Sequence, residues 1–429
     1  MEQNPTYSNR IADVVLSRKL LSSSAVLLQG PKWCGKTTTA EQLAKSILYM
    51  ADPDALQKNL FIASTNVKSL LVGDTPRLID EWQVAPQIWD AVRFESDNRK
   101  NVGLFILTGS AVPPVTNKIQ HTGTGRISRV TMRPMSLWES KESNGTISLQ
   151  DLFEKGGEPI FGECEKKLED IAYYICRGGW PMAATIMKGE SALETAYSYY
   201  EAITEIDISR VDSVRRGQER TKKLMRSLAR NQGTQTSYSK LKDDIATNDS
   251  RTLDEDTVAS YIEALKKIFV VEDMEAWNPN LRSKCSIRTT DTRYFVDPSI
   301  AVAALGIGPN DLLNDLNTMG FLFETMAVRD LRVYADALYG RVFHYRDNNN
   351  LECDAVVHLR DGHYGLVEIK LGGEKLINDG IESLIRLESK INTDKMYPPS
   401  FKMVLTAVGN IAYLHEKGVY VVPIGCLKP

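Results

Sequence analysis

A chain of 429 residues is too long for one hydrophobic core, so two to four domains are expected. Its composition, 42% hydrophobic and 25% charged without a low-complexity tract, excludes a disordered or fibrous protein. A net charge of −3 excludes a global pull toward nucleic acid or acidic membrane. No apolar run approaches the roughly 18 residues of a bilayer span, and the polar start MEQNPTYSNRIADVVL lacks the apolar centre of a secretion signal. Six cysteines at 34, 164, 176, 285, 353 and 426, with no CxxC, suggest neither a zinc site nor a disulfide framework. A cytoplasmic location is the simplest expectation.

Read from the amino end, SAVLLQG (24–30) is a short buried strand, followed by a glycine-containing loop and the helical TTTAEQLAKSILYM (37–50). RLIDEWQ (77–83) and VGLFILTGS (102–110) are apolar runs closed by polar residues. Strands alternating with helices predict an α/β domain around a parallel sheet whose ligand lies at the carboxy ends of the strands. Residues 117–129 read as loop and 156–163 as a further break, with helical patterns from there to residue 217. Between 218 and 305 three helices, ERTKKLMRSLARNQG, TSYSKLKDDI and DEDTVASYIEALKKI, precede the strands FVVEDMEAW and TTDTRYFVD, the order of a winged helix. The run 215–230 carries seven Arg or Lys against one Glu, a pattern that is usually a solvated helix face. The last part holds helices near 317–339 and 376–391, a charged hairpin between them, and the strands FKMVLTA and VYVVPI.

The segment Gly30-Pro31-Lys32-Trp33-Cys34-Gly35-Lys36-Thr37 fits GxxxxGK[ST] between a strand and a helix. Its glycines let backbone N–H groups wrap phosphates. Lys36 would reach the β and γ phosphates and the Thr37 hydroxyl would bind Mg2+, with Thr38 completing the binding turn. LIDE then places Asp80 and Glu81 at a strand end, Asp80 for the Mg2+ shell and Glu81 to orient and deprotonate the attacking water. Thr108 and Ser110, at the next strand end, are placed to sense the γ-phosphate. Arg126 in GTGRISR is the first candidate for a cation that meets the charge developing on that phosphate, with Arg129 and Arg133 behind it. It could serve its own site or a neighbour's, and a structural ion pair is an equal alternative.

These stretches, LLQGPKWCGKTT, RLIDEWQ, FILTGS and GRISRVTMRPMSLWE, are followed by RGGWP (177–181), DISRVD (207–212), YFVDPSIA (294–301) and HYRD (344–347). In that order, along nearly the whole chain, they resemble the AAA-type ATPases of bacteria and archaea that carry a carboxy-terminal domain of unknown function. The resemblance implies an AAA-like P-loop core at 1–135, a helical lid at 136–217, a winged helix at 218–305 and a restriction-endonuclease-like domain at 306–429. It also implies ATP as the nucleotide. Trp82-Gln83 departs from it, since many relatives carry an aliphatic residue before the Gln.

The terminal hairpin, LECDAVVHLRDGHYGLVEIKLGG (351–373), raises a sharper question. Nucleases of the PD-(D/E)xK type need an Asp on one strand and Glu-x-Lys on its antiparallel neighbour, the carboxylates holding a divalent metal. Asp354, Glu368 and Lys370 supply that set, and Glu324 in GFLFETMAVRDL is placed to add a fourth group from the preceding helix. A two-residue turn at Asp361-Gly362 would pair residues whose numbers sum to 723 and turn Asp354 away from Glu368. An odd-length loop or a bulge shifts the sum to 722 and brings them to one face, which is the expected register. Alternating charge on a half-exposed strand gives the same pattern without any function, and such a fold also binds DNA without cutting it. The winged helix is equally double-edged, because such modules dock proteins as well as DNA. The acids opening DEDTVASYIEALKKI oppose phosphate contact there, leaving 215–230 and NLRSKCSIR (280–288).

The expectation is a Mg2+-dependent ATP hydrolase coupled to a DNA-recognising or nuclease-like module, with ATP, DNA and further copies of itself as partners and no membrane. Two alternatives stay open. One is a nucleotide-switched scaffold whose terminal fold is inert and binds protein; the other is an ATP-coupled, metal-dependent DNA endonuclease.

Overall fold

The computed structural model describes residues 7–109, 123–211, 214, 216–246, 254–279 and 290–429. They divide into two compact units. The first comprises residues 1–134, 202–218 and 260–270, and the second residues 135–201, 219–259 and 271–429. The first division falls after Pro134. Residues 136–217, expected as one lid, are instead shared between the units.

The first unit is built on five strands: β1 (Ala25–Gln29), β2 (Ser46–Tyr49), β3 (Arg77–Asp80), β4 (Phe105–Gly109) and β5 (Ile127–Thr131). Their order is β2-β3-β4-β1-β5 and every neighbouring pair is parallel. A parallel sheet is covered on both faces, so its central strands read as unbroken apolar runs. Ala25, Val26, Leu27 and Leu28 of β1 and Phe105, Ile106 and Leu107 of β4 are all buried. The helix Gln87–Arg99 sets Ile88, Trp89, Ala91 and Val92 into the same core, where the Trp89 ring lies 5.0 Å from that of Trp82.

Two sequence expectations change here. The helix after the glycine loop spans only Lys36–Glu41, and Ser46–Tyr49, expected as its continuation, is the edge strand β2. Its side chains alternate between partly buried and exposed, the two-residue period of a strand, and pairing with β3 overrides the helical propensity of the neighbouring residues. Residues 127–129, read as loop, begin β5.

The second unit holds a seven-stranded sheet. Its strands are β7 (Gly162–Glu163), β10 (Gly340–Arg346), β11 (Glu352–Leu359), β12 (Tyr364–Lys370), β13 (Phe401–Thr406), β14 (Ile411–Leu414) and β15 (Tyr420–Pro423), ordered β10-β11-β12-β13-β15-β14-β7. The helix Leu316–Ala337 precedes β10, and Glu374–Lys390 crosses from β12 to the parallel β13. Two small pairs complete the described strands: β6 (Ile147–Ser148) with β16 (Leu427–Lys428), and β8 (Val271–Met274) antiparallel to β9 (Thr292–Phe295). The helices Gln218–Arg230, Tyr238–Ala246 and Glu255–Lys267 come before the β8–β9 ribbon, in the order read from the sequence. Among the described residues no helix is long and apolar enough to cross a membrane. The five described cysteines are free and buried; Cys285 lies outside the described residues.

A buried ionic knot organises this unit. Arg329, on the helix Leu316–Ala337, pairs with Asp297 at 2.7 Å and Asp330 at 2.8 Å, and all three side chains are at most 2% exposed. Asp297 also accepts from the Gly179 and Ser299 backbone N–H groups, and Asp330 from that of Leu137. Removing one partner of a buried pair leaves an uncompensated charge, at a cost of about 3–5 kcal/mol. Arg329→Ala should therefore lower the unfolding free energy of the second unit by about that amount in urea denaturation, whereas Arg341→Ala, whose partner Glu275 is exposed, should change it little.

Candidate nucleotide site and carboxylate cluster

The glycine-rich loop lies at the carboxy end of β1, where a parallel sheet of this kind presents ligands. Gly30 has φ 154°, and a Cβ there would stand 2.1 Å from the Met132 carbonyl oxygen, so no other residue fits. Gly35 (φ 97°) caps the following helix, which opens with Lys36 and Thr37. Lys36 Nζ donates to the Pro31 carbonyl at 2.7 Å, which holds the buried ammonium across the loop. Trp33 is 54% exposed on the loop with φ 63°, and Thr38 is exposed beside it. Cys34 is buried, its Sγ 3.6 Å from the Met132 carbonyl oxygen.

Two strand ends and the start of a helix meet on one carboxylate. Asp80, closing β3, accepts on a single oxygen from Thr37 Oγ1 at 2.7 Å and from Thr108 Oγ1 of β4 at 2.6 Å. Glu81 follows in the left-handed region (φ 53°, ψ 46°), which turns its side chain off the strand line. Burial pushes the Glu81 carboxyl above the ordinary range, Asp80 adds to this, and Lys36 and a hydrogen bond from Gln83 Nε2 oppose it. A carboxylate with raised proton affinity beside a metal-type oxygen pair is suited to accept a proton from water.

Sequence reasoning missed three supports. Arg10 is buried and clamps the loop, donating to the carbonyl oxygens of Cys34 and Arg133 at 2.8 Å each. Asp207, in the DISRVD stretch, pairs with Lys32 at 2.6 Å. Gln83 holds Glu81. Nothing in the sequence marks Arg10 as buried, and nothing local links residue 32 to residue 207.

Arg126 needs correcting. It stands just before β5, whose first residue pairs with Ala25 at the amino end of β1, while the phosphate loop follows the carboxy end. Its guanidinium instead binds Asp97 at 2.7 Å. A strand of five residues at about 3.3 Å each separates it from the loop, so it does not serve the nucleotide site of its own chain. Arg129 lies over the Trp89 ring at 5.7 Å, and the Arg133 backbone is held by Arg10. Ser110 lies outside the described residues.

In the second unit, numbers across the β11–β12 ladder sum to 722, from Ala355–Val367 to His358–Tyr364. The hairpin closes with a three-residue loop, Leu359 donating to the His363 carbonyl at 2.8 Å and Gly362 taking φ 95°. Asp354 and Glu368 therefore meet on one face. Lys370 Nζ lies 3.1 Å from Asp354 and 2.6 Å from Glu368. Asp354 also accepts from the Ile369 N–H at 2.7 Å, and Glu368 from Ser383 at 3.1 Å. Glu324 joins from the preceding helix, accepting from Tyr294 Oη at 2.6 Å beneath Gly233, where a Cβ would stand 2.5 Å from its Oε1. The ammonium thus occupies the space between two of the acids. Among the described residues no group of three or more His, Cys, Asp or Glu side chains is disposed to hold a metal ion.

Burial, then the charge of Asp354, raises the proton affinity of both Glu324 and Glu368, from an ordinary 4.5 toward about 8. The folded chain keeps protons that the unfolded chain has released, so this contribution to stability is complete below pH 4.5 and lost as pH rises through about 8. Glu324→Gln should accordingly gain in unfolding midpoint over the parent chain as the buffer moves from acid to alkaline, read by thermal scans across that window.

Three families match the chain. Residues 22–141 match an AAA domain, 168–311 a domain of unknown function (DUF8612) and 319–427 a domain of unknown function (DUF4143). Uncharacterized proteins of Mycobacterium bovis and Mycobacterium tuberculosis are each 22% identical over 391 residues, 88% of this chain and 77% of theirs. A solved Walker-type ATPase of Pyrococcus abyssi aligns with TM-score 0.43 and 15% identity, over 70% of this chain and 96% of that one. The phosphate loop, the acidic strand end and the five-stranded parallel sheet all lie within the stretch that matches the AAA domain, and Glu324, Asp354, Glu368 and Lys370 lie within the stretch that matches DUF4143.

Proposed function

We propose that the first unit binds ATP with Mg2+ and hydrolyses it, and that turnover gates DNA recognition by the second unit. The observation that carries the first half is the shared oxygen of Asp80, which ties the Thr37 hydroxyl to the end of β3. A hydroxyl and a carboxylate are the hard oxygen donors that Mg2+ takes, so the residues fit the ion. Thr37 and Asp80 would hold it, and it would supply charge neutralisation at the phosphates. Lys36 binds the β and γ phosphates, the loop N–H groups from Gly30 to Thr38 cradle them, and Thr108 fixes Asp80 from the neighbouring strand. Glu81 accepts the proton of the attacking water. Arg126, at the far end of the sheet, is available only to a second copy of the chain.

We read residues 218–305 as a winged helix and residues 306–429 as a restriction-endonuclease-like fold. The three helices and ribbon over 218–295 support the first, and the order helix, three strands, helix, strand over 316–406 supports the second. The residues Glu324, Asp354, Glu368 and Lys370 do not fit a divalent metal in the arrangement present, because Lys370 spans the acids. That observation favours a second reading, a nucleotide-switched protein whose terminal fold is catalytically inert.

Phosphate release measured with and without duplex DNA tests both halves. Glu81→Gln should lower kcat by about 10²–10⁴-fold while ATP still binds, and Lys36→Ala should lose binding. Stimulation by DNA supports the coupling, and an unchanged rate at saturating DNA rejects it. Plasmid incubated with Mg2+ or Mn2+ separates the readings of the terminal fold: nicking abolished by Asp354→Ala sinks the inert one.

A further inference from the structure

The second unit contains a cavity of about 750 Å³ that neither the nucleotide loop nor the carboxylate cluster uses. It lies at the turn end of the β11–β12 hairpin, between Arg360, the residues Tyr339 and Arg341 at the start of β10, and the segment 393–398 after the helix Glu374–Lys390. Asp354 sits five residues back along β11 from Leu359, about 16 Å away at strand spacing, so the cavity is separate from the cluster.

Its lining combines flat rings with cations. Tyr339 and Tyr397 are 49% and 57% exposed at its wall, with Phe343 and His358 partly buried beside them. His363 stacks on Tyr397 at 4.8 Å with 6° between the ring planes, which holds the tyrosine ring in place. The Arg360 guanidinium lies 5.8 Å from the Tyr339 ring, and that of Arg341 5.4 Å from Phe343. Arg341, Arg360 and Lys395 face a single lining acid, Asp394. Burial lowers the His358 pKa, so its ring is neutral at physiological pH. The Arg341–Glu275 pair is exposed on both sides and holds Arg341 only weakly.

This chemistry narrows the ligand. A cavity of this volume suits a small molecule. Its three cations disfavour a purely apolar ligand and, set against one acid, a cationic one. Aromatic faces beside arginines are what stacks a base while holding its phosphate. We propose that the cavity binds a nucleotide, its base against the tyrosine rings and its phosphate on Arg360 and Arg341. The source is either an unpaired nucleotide of a strand or a free nucleotide. The site extends the reading of the second unit as a DNA-recognising module and depends on neither ATP hydrolysis nor strand cleavage.

The test uses the full chain carrying Lys36→Ala, so that the phosphate loop contributes no nucleotide binding. Fluorescein-labelled oligothymidylate is titrated by anisotropy, alone and against AMP. Binding should fall about 5- to 150-fold on Tyr397→Ala, the range for losing one base–aromatic stack. It should fall on Arg360→Ala as well, and Tyr397→Phe should retain it. Both side chains are exposed, so unchanged thermal midpoints should accompany these losses. Competition by AMP assigns the site to free nucleotides, and binding indifferent to AMP assigns it to strands. The proposal is overturned if neither ligand binds, or if Tyr397→Ala and Arg360→Ala bind as the parent does. Failure of duplex DNA to stimulate the ATPase would count against the coupling above and leave this result untouched.

Discussion

The second unit depends on the charge balance of Asp297, Arg329 and Asp330, three side chains from which water is excluded. An isolated charge in such a place would be too costly to hold, so each must be met by its neighbours and by backbone donors. That requirement draws four distant stretches together. Asp297 reaches Gly179, Asp330 reaches Leu137, and both meet the helix that carries Arg329. The glycines of RGGWP follow from the same demand: a Cβ on Gly178 would stand 2.4 Å from Asp297 Oδ1, and one on Gly179 2.1 Å from the Met135 carbonyl oxygen. The helix so anchored also carries Glu324, five residues before Arg329, so the knot fixes one member of the carboxylate cluster.

In the first unit the equivalent constraint is smaller and nearer the chemistry. One oxygen of Asp80 joins the loop after β1 to the ends of β3 and β4. Parallel strands bring those ends to one edge, and a shared acceptor then sets their spacing to within a hydrogen bond. Arg10 and the Lys32–Asp207 pair brace the loop from residues far away in sequence. Preorganisation of this kind is what positions groups for phosphoryl transfer, where little covalent chemistry falls to the protein.

What could be read in advance follows the range of the interactions. The phosphate loop and the acidic strand end were legible because their spacing is local and their residue types are demanded by phosphate and metal chemistry. The hairpin register was legible too, since a side-chain period of two leaves only two choices. Strand β2 was not, because four alternating residues after a helix are decided by the neighbouring β3. The position of Arg126 was not, because only the alignment of β5 against β1 reveals which end of the sheet it occupies. Arg10, Asp207 and the ionic knot were invisible for one reason: each joins stretches 24 to 193 residues apart.

The carboxylate cluster shows why a sequence motif is weaker than its charge balance. Two acids, Asp354 and Glu368, converge on one ammonium with Glu324 beside them, which leaves an excess of negative charge in a partly closed site. An excess of this kind is relieved by a divalent ion, by protons or by rearrangement. Here Lys370 spans Asp354 and Glu368, Tyr294 and Ser383 donate to the remaining carboxylates, and raised proton affinity at Glu324 and Glu368 removes charge near neutral pH. A cluster that settles its charge with its own residues gains less from an added ion than an open pair of carboxylates would. The residues that match a nuclease pattern are therefore the same ones that disfavour metal in this arrangement, and the motif by itself does not decide between the two.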